Sequence, residues 1–550
     1  MAESFDVVIV GAGSAGCVLA NRLSADPARR VLLLEAGGTD AHPVLAVPLA
    51  WTTAMQMPQV GWGYATEPEA GADDRALPQP RGRVLGGTSS INGMMYVRGQ
   101  AGDYDGWAQM GLKGWSYAEV LPYFRRAESN WRGEGPYHGG AGPLSVVAQP
   151  DDPALTPKMI ATAEKLGYRA NPDANAAVQE GFGTPDFTIA KGRRASTARA
   201  YLRPAQGRPN LTIRTGAQVS RVLIDKGRAT GVEYRRDGRT EQVSAGEVVL
   251  SGGAFGSPQM LMLSGVGPAD HLQAVGIKPL HDLPGVGQNL QDHPLVLAIY
   301  QAAGPFSLHE DLRLDRLAGR AMQWALSGTG PLSHMPLPVQ GFIRLMPGQE
   351  TPDCQFQVSA VSMMAQPWFP GWRSSPGHHF TPVALQLRPH GRGELSLRSS
   401  DPAAAPKIRL GLFQEEADKA FAREMFAFIR EFFATEPAAG LIAAELLPGP
   451  GAKTRAEIDA YIRSTIQTGM HPACTCAMGV GEEAVVDAEL KVRGIDGLRI
   501  ADCSVMPDIV RGNTNAPAIM IGEKAADMLL GRTLAPAELP TPAKQEVPVP

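Results

Sequence analysis

The sequence predicts an α/β protein that begins with a Rossmann-like dinucleotide-binding domain. Three observations in the first 37 residues support this fold class. An apolar run at residues 5–10 predicts a buried strand, and the glycine-rich stretch 11–16 follows it directly. A helix-like segment then leads to a second apolar run at residues 31–34. A strand, a glycine turn, a helix and a second strand in this order form the unit that binds a dinucleotide.

Each part of this unit has a physical role. Gly11 allows the tight turn, Gly13 lets the backbone approach a pyrophosphate, and Gly16 lets the helix pack on the strand. Glu35, at the end of the second strand, is placed to accept hydrogen bonds from a ribose diol. The alternative is a structural glycine turn without a ligand. The predicted cofactor contacts of this unit are Gly11, Gly13, Ser14, Ala15, Gly16, Glu35 and Ala36.

Length, composition and charge exclude several classes of protein. The chain has 550 residues, which predicts two connected domains, and its 44% apolar and 19% charged residues are ordinary for a soluble globular protein. A net charge of −4 without a basic cluster predicts no nucleic-acid partner. Five cysteines, no leader-like N-terminus and no long apolar run predict a cytoplasmic protein without a transmembrane segment. Association with the surface of the inner membrane is left open.

Three further segments carry motifs. Residues 86–93 join glycines to three small hydroxyl residues, so their backbone can lie flat against a ligand and offer it hydrogen-bond donors. Residues 253–267 form another glycine-containing segment after a predicted strand. The third segment lies near the C-terminus and has two parts. The first part begins at His471, and the second ends with Asn-Ala-Pro at residues 515–517, a sequence typical of a helix start.

Together with the glycine turn, these segments resemble the glucose–methanol–choline (GMC) family of FAD-dependent oxidoreductases. The resemblance covers the chain up to about Gly531, with the motifs in the family's order. We expect a discontinuous FAD-binding domain over residues 1–149, 192–294 and 476–531, and a sheet-and-helix (α+β) substrate-binding domain over 150–191 and 295–475. Residues 532–550 are rich in proline and are predicted to be a disordered tail.

The resemblance implies FAD as the cofactor and extends its contacts along the chain. Val219 matches the position that contacts the adenine. Asp502 matches a position near the ribityl and pyrophosphate groups, although it could also be a turn residue. Ile91 replaces the histidine of members with covalent flavin, so we expect non-covalent FAD. The remaining expected contacts are Gly86, Gly87, Thr88, Ser89, Asn92, Gly93, Met94, Ala501, Asn513, Asn515, Ala516 and Pro517.

The resemblance also implies that His471 and Asn515 form the catalytic pair. A neutral imidazole can take the hydroxyl proton of an alcohol while hydride passes to flavin N5. An amide beside it can hold the alcohol oxygen. Considered alone, His471 could be a hydrogen-bonded core residue. A metal site of His471, Cys474 and Cys476 matches no common ligand spacing, so no metal is predicted.

The predicted function is therefore FAD-dependent oxidation of a primary alcohol to an aldehyde. We favour a quinone or dye-type electron acceptor over oxygen. Residues 295–475 are rich in apolar side chains, and no cage for a quaternary ammonium is identified, so a neutral alcohol is favoured over choline. A non-redox flavoenzyme resembling hydroxynitrile lyases or a fatty-acid photodecarboxylase remains an alternative, which anaerobic bleaching of the flavin by an alcohol would exclude. A pyridine-nucleotide flavoenzyme is disfavoured by the lack of a second glycine fingerprint. The oligomeric state is left open.

Overall fold

The computed structural model describes residues 3–362, 365–375 and 377–540. Two large sheets with helices packed on them organise these residues. The helices are α1 (Ser14–Leu23), α2 (Trp51–Gln56), α3 (Ala101–Gln109), α4 (Tyr117–Ala127), α5 (Thr156–Lys165), α6 (Arg203–Ala205), α7 (Gly253–Leu263), α8 (Ala269–Ala274), α9 (Leu314–Ser327), α10 (Glu416–Ala434), α11 (Arg455–Thr465) and α12 (Asn515–Leu529).

The strands of the two large sheets alternate along the chain with short strands that form small separate sheets. In chain order the strands are β1 (Glu3–Val10), β2 (Val31–Leu34), β3 (Tyr64–Ala65), β4 (Pro78–Gln79), β5 (Glu128–Asn130), β6 (Leu144–Ala148), β7 (Gly181–Gly183), β8 (Asp186–Phe187), β9 (Ile189–Ala190), β10 (Arg193–Arg194), β11 (Leu211–Arg214), β12 (Gln218–Asp225), β13 (Arg228–Arg236), β14 (Arg239–Leu250), β15 (Val266–Gly267), β16 (His281–Asp282), β17 (Pro294–Leu297), β18 (Ile299–Ala302), β19 (Val339–Ile343), β20 (Cys354–Ser359), β21 (His379–Gln386), β22 (Glu394–Ser396), β23 (Lys407–Arg409), β24 (Ile442–Leu447), β25 (Gln467–Thr468) and β26 (Leu498–Ile500).

The first large sheet contains the N-terminal unit. Its order is β11–β2–β1–β14–β13–β12, with β26 paired to β14. The strands β11, β2, β1, β14 and β26 run parallel, whereas β12, β13 and β14 form an antiparallel meander. All four residues of β2 are buried because helices and loops cover both faces of the parallel part. The α/β fold class with a Rossmann-like first domain is confirmed.

The second large sheet is antiparallel. Its order is β24–β18–β21–β20–β19–β7, and β17 joins β21 to β25. Helix α10, whose apolar residues recur at helical spacing, packs on β21 and β17 with a buried row of phenylalanines. This sheet and its helices form the expected α+β half. Its strands lie outside the predicted FAD-binding segments, except for the first residue of β17, and the exact domain boundaries stay a prediction.

Helix α12 ties the C-terminal segment to the glycine turn. A Cβ on Gly522 would lie 3.0 Å from the Cα of Ala15, so the absence of a side chain lets α12 approach α1 closely. The next residue, Glu523, is buried, and its carboxylate accepts hydrogen bonds from Arg22 and Arg126 at 2.8 Å each. Charge-assisted bonds of this kind are the stronger ones in proteins. The middle of α12 is thereby held against α1, and the hydroxyl of Ser14 donates to Asn515 at the N-terminus of α12 at 2.7 Å.

A long flap covers the cofactor side of the fold. It begins at Gly37, shortly after β2, and ends at Arg83, where a Cβ on Gly37 would lie only 1.9 Å from the Arg83 carbonyl oxygen. Between these residues lie short helical turns and α2. Residues 37–82, which contain many prolines, therefore form a folded cover whose two ends meet.

The predicted disordered tail differs in its first part. The backbone N–H of Leu534 donates to the Tyr123 hydroxyl at 3.2 Å, and that of Ala537 donates to the Ala118 carbonyl at 2.7 Å. Residues 532–540 are therefore held along α4 by contacts that composition does not reveal. Residues 541–550 lie outside the described residues. Within the described ranges, no helix combines the length and the apolar character that crossing a membrane requires.

Candidate active site

A cavity of about 670 Å³ is lined by residues of both large sheets, the flap and the N-terminus of α12. A volume of this size is typical of sites for cofactors and small substrates. The predicted site residues that line it are Gly11, Gly13, Ser14, Ala15, Glu35, Ala36, Gly87, Thr88, Asn92, Gly93, Met94, Val219, His471, Asp502, Asn513 and Asn515.

Six predicted contacts do not line the cavity. The Ser89 hydroxyl donates to the Gly86 carbonyl at 2.6 Å, so both residues stabilise the turn at residues 86–90 without lining the cavity. The other four, packed in the adjacent core or between helices, are Gly16, Ala501, Ala516 and Pro517.

The glycine turn has the geometry of a ligand cradle. Gly11 has φ of +100°, and a Cβ on Gly16 would lie 1.9 Å from the Gly11 carbonyl oxygen, so the fold itself requires these two glycines. Gly13 differs. Its φ of −78° suits any residue, and a Cβ there would meet only the Ser251 carbonyl oxygen at 3.7 Å. The protein leaves room at Gly13, so a ligand approaching its backbone is the remaining reason for glycine.

Glu35 joins the glycine turn to the flap. Its carboxylate accepts the N–H of Ala12 at 3.0 Å and the N–H of Gly37 at 2.8 Å. Burial raises the pKa of Glu35 to about 7, while these two bonds favour the charged form. A carboxylate has further acceptor positions, so the side chain also suits the ribose hydroxyls that the sequence predicted.

Asp502 combines the two roles considered for it. Its carboxylate accepts bonds from the Ser257 hydroxyl at 2.6 Å and from the N–H groups of Gly253 and Ser504 at 2.9 and 2.8 Å. It is therefore a turn residue, and it also lines the cavity at the start of α7. Burial raises its pKa.

His471 contacts an asparagine, but not the one predicted. The Asn513 side-chain amide donates to Nε2 of His471 at 2.9 Å. The amide of Gln355 donates to Oδ1 of Asn513 at 3.2 Å, which assigns the orientation of the Asn513 side chain. Nε2 of His471 is consequently a hydrogen-bond acceptor at the cavity.

Asn515, the predicted partner of His471, faces the glycine turn. Its Oδ1 accepts the Ser14 hydroxyl at 2.7 Å. Asn515 is already the first residue of α12, and the helix carries its side chain toward α1, whereas Asn513 lies in the preceding loop. The spacing between the histidine and an asparagine, taken alone, could not distinguish two asparagines separated by one residue.

A second histidine, which sequence reasoning did not single out, lies behind the first. Nδ1 of His293 lies 3.0 Å from Nδ1 of His471, and the rings meet edge to face with centroids 5.2 Å apart. Because Nε2 of His471 accepts a bond from Asn513, its Nδ1 carries the proton and donates to His293. Burial lowers the pKa of His293 to about 4. The pKa of His471 is lowered well below 6.5 by burial, then by His293 and Arg81.

Asp292 fixes the backbone of both histidines. Its Oδ1 accepts the N–H of His293 and the N–H of His471, each at 2.8 Å. Burial raises the pKa of Asp292 to about 6, and the positive charge of Arg81 acts in the opposite direction. Asp292 lies in the polar loop at residues 284–294, and nothing in that local sequence indicates that its carboxylate contacts His471.

A half-buried cation also belongs to the cavity. Arg81 donates to the Met470 carbonyl at 2.7 Å, and burial lowers its pKa. In the described part of the chain, no carboxylate lies within ion-pair distance of its guanidinium. A positive charge beside His471 disfavours the imidazolium form and favours negative charge developing nearby.

Arg194 anchors the flap over the cavity. Its Nε donates to the Leu45 carbonyl at 3.1 Å, and its Nη1 donates to the Asn92 carbonyl and side-chain oxygens at 2.5 and 2.9 Å. Burial lowers the pKa of Arg194 to about 9. This arginine lies outside every recognised motif, which is why the sequence did not reveal it.

The wall next to His471 is apolar. Leu295, Val383 and Leu385 form one buried cluster that lines the cavity, and Leu385 lies against the loop that carries His471. Other members of this half of the lining are Trp51, Met55, Met94, Met95, Phe187, Met335 and Leu337. The acidic residues of the lining are Glu35 and Asp502, both already bonded to backbone on the cofactor side. The apolar wall therefore offers no carboxylate.

Comparisons with known proteins agree with this geometry. Family models described as GMC oxidoreductase match residues 5–295 and 389–522. An oxygen-dependent choline dehydrogenase of Photobacterium profundum is 43% identical over 98% of this chain and 96% of its own length. Pyridoxine 4-oxidase from Mesorbium loti has a similar crystal structure, with a TM-score of 0.86 and 31% identity over 96% of this chain and 100% of that one. Formate oxidase of Aspergillus oryzae, whose FAD modification has been studied, has a TM-score of 0.88 and 28% identity over 96% and 98% of the two chains.

GMC oxidoreductases bind FAD, and the residues of the cavity fit that cofactor. The open position at Gly13, the carboxylate of Glu35 and the N-terminus of α12 suit a pyrophosphate, a ribose and a reduced flavin, respectively. The flavin end of the cofactor would then lie near His471 and Asn513.

Two glycine variants separate cofactor binding from folding. We expect Gly13→Ala to keep the thermal unfolding temperature and to lose most bound FAD, since the added methyl occupies only ligand space. Gly16→Ala should instead destabilise the protein by about 1–3 kcal/mol, because its methyl overlaps the Gly11 carbonyl. Thermal unfolding and the flavin released by acid precipitation measure the two effects. Stoichiometric FAD in Gly13→Ala would contradict the cradle assignment.

Proposed function

Since the chain belongs to the GMC oxidoreductase family, we propose that it oxidises an uncharged primary alcohol to an aldehyde with FAD. The observation that carries this proposal is the neutral His471, paired with Asn513 beside an apolar wall. Electrons would pass on to a quinone or dye-type acceptor, or to oxygen. Reduction of the flavin by an alcohol without oxygen is the basic test, since a non-redox flavoenzyme would turn over without bleaching.

His471 takes the hydroxyl proton in this proposal. The alcohol O–H donates to Nε2, the atom that now accepts from Asn513, and the Asn513 amide donates to the alcohol oxygen. FAD, when bound, supplies the hydride acceptor at N5. The proton moves to Nε2 as the carbon loses hydride and the C=O bond forms. Nδ1–H of His471 stays bonded to His293 throughout, so the ring keeps its orientation while it carries the positive charge.

The cavity supports an uncharged substrate. The relative named choline dehydrogenase favours choline, the second candidate. A quaternary ammonium at the apolar wall would, however, have no carboxylate partner, and Arg81 would repel it. Burying an unpaired cation is costly, whereas the cluster of Leu295, Val383 and Leu385 favours hydrocarbon.

We also propose that FAD is bound non-covalently. Ile91 is buried in an apolar cluster with Leu45 and Val84 and offers no nucleophile to the flavin. Acid precipitation of the wild-type protein, the assay used for the Gly13 variant, also tests this proposal and should release the flavin. Flavin retained in the washed pellet would show a covalent bond and contradict it.

Three variants test the assignment of the catalytic pair. His471→Ala should lower the anaerobic rate of flavin reduction by about 10²–10⁴-fold, the usual contribution of a general base. Asn513→Ala should lower it by about 10²-fold, because it removes a donor to the developing alkoxide. Asn515→Ala is the matched control and should stay within about 3-fold at full FAD occupancy, because its side chain contacts Ser14. Stopped-flow reduction of holoenzyme measures all three.

The Asn515→Ala control also shows which results would contradict the pairing of His471 with Asn513. Equal losses in Asn513→Ala and Asn515→Ala, with FAD bound, would contradict the assignment of Asn513. Near wild-type reduction in His471→Ala would require another base.

A pair of isosteric substrates tests the charge preference. Choline and 3,3-dimethylbutan-1-ol have nearly the same shape, but only choline is charged. We expect the neutral alcohol to have the higher kred/Kd by at least about 10²-fold, the equivalent of about 2.7 kcal/mol for a cation without a partner. Anaerobic stopped-flow measurements with both alcohols provide the comparison. A preference for choline would replace the neutral alcohol with the second candidate while keeping the reaction type.

A further inference from the structure

Helix α9 exposes an unusual apolar face. Leu314, Ala318, Ala321, Met322, Ala325 and Leu326 recur at spacings of three and four residues and are all exposed. Met322 is 65% exposed and Leu326 is 83% exposed. A surface helix of a globular protein normally directs polar side chains outward. This helix has an apolar outer face in addition to its inner one.

The inner face of α9 packs on the flap that covers the active-site cavity. Trp324 is buried in a cluster with Ala46 and Leu332, and Leu317 packs against the same cluster. Ala46 belongs to the flap, whose next helix, α2, contributes to the cavity lining. The exposed face of α9 therefore lies on the outside of the cover over the cavity.

An exposed aromatic loop adjoins the N-terminus of α9. The N–H of Leu314 donates to the Trp368 carbonyl at 2.9 Å, which joins the loop to the helix. In this loop Trp372 is 62% exposed, and Phe369 is also exposed. We refer to the outward apolar residues of α9 together with Phe369 and Trp372 as the α9 surface. Exposed tryptophan beside apolar side chains is typical of a protein surface at the lipid headgroup level.

The charges around the α9 surface are predominantly positive. Residues 191–193, 310–328 and 366–375 contain six basic and three acidic side chains, although the whole chain carries −4. The three acidic residues pair with Arg313, Arg316 and Arg320. The remaining cations are Lys191, Arg193 and Arg373, for which no carboxylate partner is found in the described ranges.

These remaining cations border the apolar face at both ends of α9. Arg193 donates to the Ala325 carbonyl at 3.1 Å and stacks on Trp324, and Lys191 lies beside Gly328 at the end of the helix. Arg373 stacks on Trp372 in the aromatic loop, with its guanidinium carbon 4.6 Å from the ring centroid. An apolar face bordered by cations without a carboxylate partner is complementary to a bilayer that carries anionic headgroups.

We propose that the α9 surface docks on an anionic lipid bilayer, with the flap side of the active site facing the membrane. A second copy of this chain is a poorer occupant, because a symmetric contact through this face would bring Lys191, Arg193 and Arg373 against the same cations. The inference does not depend on the proposed reaction, because it rests on surface residues that do not line the catalytic cavity.

Vesicle binding by the holoenzyme tests this proposal without any substrate. The probe is a vesicle of phosphatidylcholine and phosphatidylglycerol in equal amounts, with phosphatidylcholine alone as the neutral comparison. Wild-type protein should sediment with the anionic vesicles, and added salt should weaken binding. Met322→Glu combined with Leu326→Glu should lower the partition coefficient by at least about 10-fold, because it removes the apolar contact and adds repulsion.

Two control variants make the result specific. Val480→Glu changes a side chain that is 67% exposed next to Gly111, away from α9, and should leave binding unchanged. Lys191→Gln with Arg373→Gln should weaken binding to anionic vesicles by about 5-fold per removed charge. The proposal is overturned if the wild type does not sediment, or if the α9 double variant binds as well as the wild type. A dimer in solution that the α9 double variant converts to monomer would also overturn it, since the surface would then bind a second copy.

Discussion

The geometry of the proposed catalytic site depends on one buried carboxylate. Asp292 accepts the backbone N–H groups of His293 and His471 with a single oxygen, so two segments far apart in the chain share one anchor. Burial of the carboxylate disfavours its charged form and raises the pKa of Asp292, and the nearby guanidinium of Arg81 partly offsets this effect. This anchor constrains the backbone of His471, which lies in a loop, while Asn513 and His293 contact its ring.

The environment of His471 resolves an electrostatic conflict. A base must be neutral to accept a proton, and burial, His293 and Arg81 all lower the pKa of His471 and keep it neutral. The same groups would oppose the imidazolium that the proposed reaction forms on His471. The bond from Nδ1 to His293, together with the negative charge that develops on a reduced flavin, would offset this opposition. These groups thus favour neutral His471 before and after the proposed proton transfer.

Much of the fold and part of the site could be predicted from the sequence, because local chemistry dictates them. The glycine turn, the buried strands and helix α10 follow from spacing and periodicity over adjacent residues. The partner of His471 could not be predicted as reliably, since Asn513 and Asn515 differ only in where α12 begins. Asp292 and Arg194 act across long sequence separations, and the order of the tail at residues 532–540 depends on contacts with α4. Such contacts leave no local signal.

The central claim is that a neutral, half-buried His471 is the base, and the pH dependence of wild-type flavin reduction tests it most directly. Because its pKa is lowered, the imidazole stays neutral as the pH falls through 6.5, and the base form is lost only at lower pH. Anaerobic stopped-flow reduction of the holoenzyme by a saturating neutral alcohol should therefore show a constant rate from about pH 9 to about pH 6. A rate that declines with an apparent pKa of 6.5 or above as the pH is lowered would contradict the account.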